Sequence, residues 1–266
     1  MQVINGFSNQ LEYQSFIFEH EKNKPTLVFL HEALGSIEQF KSFPSNLCST
    51  LQLNGVVYNR SGHGNHSNPI TNRSADYLSK YTDELAAFIN DLNLATPFIL
   101  VGHSDGGSIG LEFAARYPEL GCIACIALAA HVINEPITRK GIQKAMHAYE
   151  MGKLNGLMKY HGTNTEALVL AWSNTWQSST FKTWEILSLL PQINIPVLAI
   201  QGESDQYATR KQLELIHDNT PHADIYELEN IGHHPHIEDE NQLIEIVINW
   251  LTNMKLINAQ TPTLGR

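Results

Sequence analysis

Short apolar runs recur along the chain with helical stretches between them, and this alternation constrains the fold more than any other feature. Residues 26–30, 55–58, 98–101, 123–129, 197–200 and 224–228 form runs rich in Val, Ile, Leu and Ala, as strands covered on both faces require. Between them, 74–94 repeats apolar residues at Tyr77, Leu78, Tyr81, Leu85, Phe88, Ile89 and Leu92. A helix over 108–117 stops at Pro118, and one over 242–251 places Leu243, Ile246, Val247 and Trp250 on one stripe. Strands alternating with helices predict a mainly parallel sheet with right-handed crossovers. The first twenty residues mix apolar and polar side chains at strand spacing and predict a short β-meander.

The alternation breaks between 131 and 190, where only helical stretches such as 142–149 and 167–176 are found. Sixty residues without a strand read as an inserted helical cap. The expected organisation is a core from 1–130 and 191–257, a cap over 131–190 and a polar tail over 258–266 that frays.

Composition narrows the function classes. The 266 residues are 42% hydrophobic and 17% charged, enough to bury a core. The formal net charge of −10 argues against nucleic acid, which needs clustered Lys and Arg. No basic stretch followed by an apolar run opens the chain, and no run of about 18 apolar residues occurs. Neither a signal peptide nor a membrane span is therefore expected, and three cysteines fit a reducing cytoplasm. Cys122 and Cys125, three apart on a strand, are expected to point to opposite faces as core fillers.

The chemistry centres on Val101-Gly102-His103-Ser104-Asp105-Gly106-Gly107, directly after one apolar run and directly before a helix. A serine on such a tight strand-to-helix turn stands clear of the sheet, and side chains at Gly102 and Gly106 would collide where strand and helix almost touch. The positive end of the helix faces the charge that develops on an attacked carbonyl oxygen. Further along, Asp205 follows a strand in Ile200-Gln201-Gly202-Glu203-Ser204-Asp205, and His233 follows Gly232 in Gly232-His233-His234-Pro235-His236. Leu30-His31-Glu32-Ala33-Leu34-Gly35-Ser36 follows the first core strand, and Asn59-Arg60-Ser61-Gly62-His63-Gly64-Asn65-His66-Ser67 the next.

Taken together, these motifs resemble the α/β-hydrolase superfamily over nearly the whole chain. The resemblance implies the α/β-hydrolase fold: a mainly parallel eight-stranded sheet flanked by helices, with an inserted helical cap. It also implies Ser104 as nucleophile, His233 as base and Asp205 as the acid that orients it, in the superfamily's chain order. The oxyanion hole would come from the backbone N–H groups of Ala33 and Asp105. Glu203 competes with Asp205 as the acid, and His234 and His236 with His233 as the base. His233, His234, His236, Glu238 and Asp239 could also be metal ligands. Glu32 departs from the usual His-Gly of the superfamily, and its carboxylate and that of Asp105 are expected to point away from the pocket. His63 and His66 are expected to shape their loop.

Tyr149, Met151, Leu154, Leu157, Met158, Tyr160, Trp172, Trp176, Phe181 and Trp184 could line an apolar pocket, about half of them serving only to pack the cap. Trp172 and Trp176, four apart on one helical face, are the better pocket candidates, and His131 is a further one. A serine nucleophile excludes the aspartate-dependent haloalkane and epoxide chemistries. The expected activity is hydrolysis of a small, mostly apolar ester or thioester through an acyl-enzyme. A carbon–carbon hydrolase of the meta-cleavage type, and a slow-turnover binding protein that keeps the triad, are the alternatives. No cofactor and no metal are expected, and the expected partner is a small-molecule substrate, with no nucleic acid and no membrane. The oligomeric state is not readable.

Overall fold

The computed structural model describes residues 1–8, 10–18, 24–65, 70, 73–94 and 97–257. The strands are β1 (Gln2–Ser8), β2 (Leu11–Ile17), β3 (Thr26–Leu30), β4 (Gly55–Tyr58), β5 (Phe98–His103), β6 (Cys122–Leu128), β7 (Val197–Gly202) and β8 (Ala223–Leu228). Among the described residues they form one eight-stranded sheet in the order β1-β2-β4-β3-β5-β6-β7-β8. β1, β2 and β4 pair antiparallel, and every neighbour from β4 through β8 runs parallel. The meander expected at the N-terminus is the β1–β2 hairpin at the sheet edge.

The helices are α1 (Phe43–Leu51), α2 (Tyr77–Leu92), α3 (Asp105–Arg116), α4 (Pro136–Glu150), α5 (Met158–His161), α6 (Thr165–Gln177), α7 (Lys211–Asn219), α8 (Pro235–Glu238) and α9 (Glu240–Asn253). The strand period of two sorts the apolar side chains into two layers. Val28, Leu30, Leu100, Ala127 and Ala199 face a layer built with α2, α3 and α7. Leu27, Phe29, Ile99, Val101, Ile126, Leu198 and Ile200 face the other, where α1 and α9 supply Phe43, Leu47, Leu243, Val247 and Leu251. α9 begins at Asp239, whose side chain accepts the N–H of Gln242 at 3.0 Å and so caps the helix.

One expectation about the strands fails. Cys122 and Cys125 both face the α2/α3 layer as buried free thiols. Phe98 pairs with Cys122 but Ile99 with Ala124, so Ile123 is an extra residue in β6 and shifts the alternation by one. Burial pushes the Cys122 thiol up to about 12 and raises that of Cys125, which keeps both protonated and unreactive.

Helices α4, α5 and α6, with short 3-10 turns, lie between β6 and β7 as an inserted cap. The isolated bridge Ile133↔Glu185 ties the start of this segment to its end. No described helix is long and apolar enough to cross a membrane. The tail, 258–266, and His66 lie outside the described residues.

Candidate active site

Ser104 stands between β5 and α3 with φ 54° and ψ −117°, backbone space that side-chain-bearing L-residues rarely occupy. Its N–H donates to the Leu128 carbonyl of β6 at 2.8 Å, which pins the turn to the sheet. Close approach explains the flanking glycines. A Cβ at position 102 would lie 2.2 Å from the Gly106 carbonyl oxygen, and one at 106 would lie 2.1 Å from that of Leu30. Because the obstacles are backbone, Gly106→Ala is expected to destabilise the protein by about 3 kcal/mol, since β3 and α3 must separate. A urea midpoint equal to that of the parent would refute this.

The three residues expected to form a triad come together from three strand ends. Ser104 Oγ lies 3.0 Å from His233 Nε2. His233 Nδ1 lies 2.8 Å from Asp205 Oδ2 and 3.0 Å from Oδ1. All three residues are buried. A carboxylate can only accept, so Nδ1 carries the proton and Nε2 presents its lone pair to the serine hydroxyl. Asp205 Oδ1 also accepts the backbone N–H groups of Tyr207 (2.7 Å) and Ala208 (3.3 Å). Burial pulls the Asp205 carboxyl up, but the charge and hydrogen bond of His233 and the Tyr207 N–H outweigh it, so its pKa lies below the usual value.

His103 and Tyr207 complete the surround of the imidazole. His103 Nε2 donates to the His233 carbonyl oxygen at 2.7 Å, fixing the backbone that carries the base. The Tyr207 ring meets the His233 ring edge-on at 4.8 Å. Sequence inspection missed both, although each sits beside a triad residue: His103 directly before Ser104, and Tyr207 two positions after Asp205.

The loop after β3 is held by side chains that bind its carbonyl groups. Arg60 Nη1 donates to the His31 carbonyl, and Arg60 Nη2 and His31 Nδ1 donate to that of Glu32, both at 2.8 Å. His63 Nε2 stands 3.1 Å from the Ala33 carbonyl oxygen, so His63 does shape this region. His161 in α5 donates from Nε2 to the Leu34 carbonyl at 2.9 Å and accepts the Gly64 N–H at Nδ1. Ala33 lines the cavity from this loop, and Asp105 lines it from the first position of α3, where a backbone N–H has no partner within the helix.

That cavity, of about 410 Å³, lies between the core and the cap. Ser104, His131 and His233 line its floor, and Ile142, Ala145, Ala148, Leu154, Leu157, Trp172 and Trp176 line its cap side. The three expected pocket residues, His131, Trp172 and Trp176, therefore all border it. His131 is 2% exposed, its ring meets that of Trp176 edge-on at 5.2 Å, and burial lowers its pKa to about 3. Met151 and Met158 are exposed, while Phe181 and Trp184 stack on one another beside Trp176.

The two unusual carboxylates behave differently. Asp105 Oδ2 accepts the Tyr77 hydroxyl at 2.7 Å, and Tyr77 Oη accepts the Trp176 indole N–H at 2.8 Å, so this carboxyl is held by a helix, α2, and not by a neighbouring loop. Burial raises its pKa. Glu32 does not point away. It lines the cavity, with Oε2 3.5 Å from His103 Nδ1. Burial pulls its carboxyl up, but the hydrogen bond and charge of His103, with His234 and His31 nearby, hold it well below the usual range.

The rival assignments find other partners. Glu203 Oε2 faces the Asn230 N–H. Glu238 accepts the N–H groups of Gly232 and His234, Asp239 caps α9, and the His236 ring packs against Phe40 and Phe43. Among the described residues, no three His, Cys, Asp or Glu side chains are grouped to hold a metal ion.

A family model described as the alpha/beta hydrolase family matches residues 27–246. "Lipase 3" of Moraxella sp. (strain TA144) is 27% identical over 204 residues, covering 66% of this chain and 62% of that protein. "Lipase 1" of Psychrobacter immobilis is 25% identical over 226 residues, covering 75% and 68%. The crystal structure of a meta-cleavage product hydrolase superposes with a TM-score of 0.76 at 13% identity, covering 94% of this chain and 98% of that one. At that identity the likeness shows the fold.

Proposed function

The chain belongs to the alpha/beta hydrolase family, and we propose that it is a serine hydrolase that cleaves a small, mostly apolar ester or thioester through an acyl-enzyme. The observation that carries this reading is the continuous hydrogen-bond chain from Ser104 Oγ through His233 to Asp205, opening on a mostly apolar cavity. Two relatives named as lipases lend support.

In the proposed cycle, Ser104 Oγ attacks the substrate carbonyl as His233 Nε2 takes its proton. Asp205 stabilises the imidazolium formed. The backbone N–H groups of Ala33 and Asp105 would receive the oxyanion, and the His31, Arg60, His63 and His161 contacts hold the Ala33 loop in place before the reaction. Collapse of the tetrahedral adduct breaks the bond to the leaving group, which takes the proton from His233. Water then repeats the sequence on the acyl-serine and frees the acid. No step calls for a cofactor.

The cavity supports a modest acyl group. Its Ile, Leu and Trp lining would stabilise an apolar chain by about 25 cal/mol per Å² buried, and its volume falls at the lower end of small-molecule pockets. The experiment is labelling by a fluorophosphonate probe, with p-nitrophenyl esters from acetate to octanoate as substrates. Labelling and turnover in the wild type, absent in Ser104→Ala, are the expected result, with the optimum at a short or medium chain. A folded wild type that neither labels nor turns over would favour the slow-turnover binding protein.

A further inference from the structure

Arg139, Lys140, Lys144, Lys153 and Lys159 place five of the 17 basic residues within 136–161, a stretch that holds one of the 27 acids, Glu150. A chain with a formal net charge of −10 thus carries a basic face on α4, α5 and the segment joining them. The four lysines are exposed. Among the described residues, none of these five side chains has a carboxylate within 4.0 Å, whereas Lys80 pairs with Asp76, Arg116 with Asp83 and Glu112, and Arg210 with Glu214 and Glu227. Five such cations are therefore gathered on this part of the cap, whereas Lys41, Lys211 and Lys255, which also have no carboxylate that close among the described residues, stand apart in the sequence.

Their position relative to the cavity gives the cluster a meaning. Lys144 lines the cavity beside Ala145 and Ala148 of the same helix. Lys153 adjoins Leu154, which also lines it. We infer that the leaving half of the substrate carries negative charge, as phosphate or carboxylate groups on the alcohol or thiol, and that the α4–α5 face binds it. This rests on the hydrolase reading and deepens it. The acyl half is the apolar one, because Ile142, Trp172 and Trp176 offer a bare charge no partner and burying one there is costly. A charged leaving half would remain hydrated at the rim, where lysines act as flexible point charges. Met151 and Met158, exposed on the same segment, would also suit an anionic membrane surface. The placement of Lys144 in the cavity wall favours a charge on the substrate itself.

The test compares kcat/KM for butyryl-coenzyme A with that for the butyryl thioester of N-acetylcysteamine, which has the same acyl group and thiol end without phosphates. The coenzyme A thioester is expected to be preferred by about thirtyfold or more at low ionic strength. That ratio should fall at least about fivefold in 0.5 M NaCl, and similarly in the K144Q/K153Q/K159Q variant. Equal kcat/KM values that do not respond to salt would overturn the inference while leaving the hydrolase intact. A ratio near one, with anionic phosphatidylglycerol vesicles bound by the wild type and not by the variant, would overturn it in favour of a membrane-facing cap. Failure of both thioesters, together with no fluorophosphonate labelling of Ser104, would instead remove the hydrolase reading on which it stands.

Discussion

Ser104→Ala is expected to lower kcat by about four to six powers of ten, and His233→Ala by a similar amount, because in the proposed reaction nucleophile and base act as one unit. The two losses should not add. A double variant no slower than either single one is the signature of the 3.0 Å Ser104–His233 contact working as a relay. Asp205→Asn should cost about 10⁴ without loss of fold, since an amide facing Nδ1 favours the wrong tautomer of His233. Turnover within about tenfold of the wild type in Ser104→Ala would place the chemistry elsewhere. Backbone strain offers a control that activity does not. Position 104 takes φ 54°, which strains any residue that has a Cβ, so Ser104→Gly should be inactive yet more stable than Ser104→Ala by about 1 kcal/mol or more. Thermal unfolding of the two inactive proteins reads this directly.

Acid is expected to unfold the protein well above the range where carboxylates titrate. Burial lowers the pKa of His131 to about 3 and that of His234 to about 4, and puts His31, His63 and His236 well below 6.5. In the unfolded chain all of them titrate near 6.5. As pH falls through 6.5 the unfolded state binds protons that the folded state refuses, so stability falls with pH. It is fully present above 6.5 and is lost progressively toward the folded pKa values. Each histidine costs up to about 1.4 kcal/mol per pH unit, and half of that at pH 6.5 where the unfolded ring is half protonated, so His131 and His234 alone remove about 3 kcal/mol between pH 6.5 and 5. That is a large share of the 5–15 kcal/mol typical of a domain. Glu32, held low, adds a loss of the same sign below its ordinary value of 4.5, whereas Asp105 and Glu84, pushed up by burial, act in the opposite direction. The urea midpoint should therefore drop steeply from pH 7 to 5, and more shallowly in His236→Phe, whose ring would still pack on Phe40 and Phe43. A midpoint flat across that interval would show that these rings do not resist protonation.

The parts of the fold that could be read in advance are those that depend on neighbours in sequence. Five of the six parallel strands stand where apolar runs of near-uniform hydrophobicity occur, and the sixth, Ala223–Leu228, alternates because β8 lies at the sheet edge. The turns that carry Ser104, Asp205 and His233 were legible for a similar reason: each follows one of these strands within a few residues, and the first two hold a glycine, Gly102 or Gly202, that close backbone approach demands. α3 starts at Asp105, earlier than the helix expected from 108. Gly106 and Gly107 are poor helix formers, yet tight contact with β3 and β6 needs them there. What stayed hidden depends on partners far along the chain. The direction of Glu32 is set by His103 and His234, and that of Asp105 by Tyr77. The extra residue in β6 shows only in the register against β5, so no reading of Cys122 and Cys125 alone could reveal it.

The cap leaves the core at the end of β6 and returns at the start of β7, and these two strands are direct neighbours in the sheet. Because β6 and β7 are parallel, those two points lie at opposite ends of the sheet, but the bridge between Ile133 and Glu185 brings the two legs of the cap to about one strand spacing of each other. Such an architecture is open to grafting. A cap from another hydrolase could replace this one and bring a new specificity to an unchanged Ser104, His233 and Asp205. The anchor that such an exchange must respect is Trp176, which packs in the same layer as the strands and donates to Tyr77. Chimeras that keep the native residue there should inherit the core's stability, and those that lose it should need a compensating aromatic before the borrowed cap can settle.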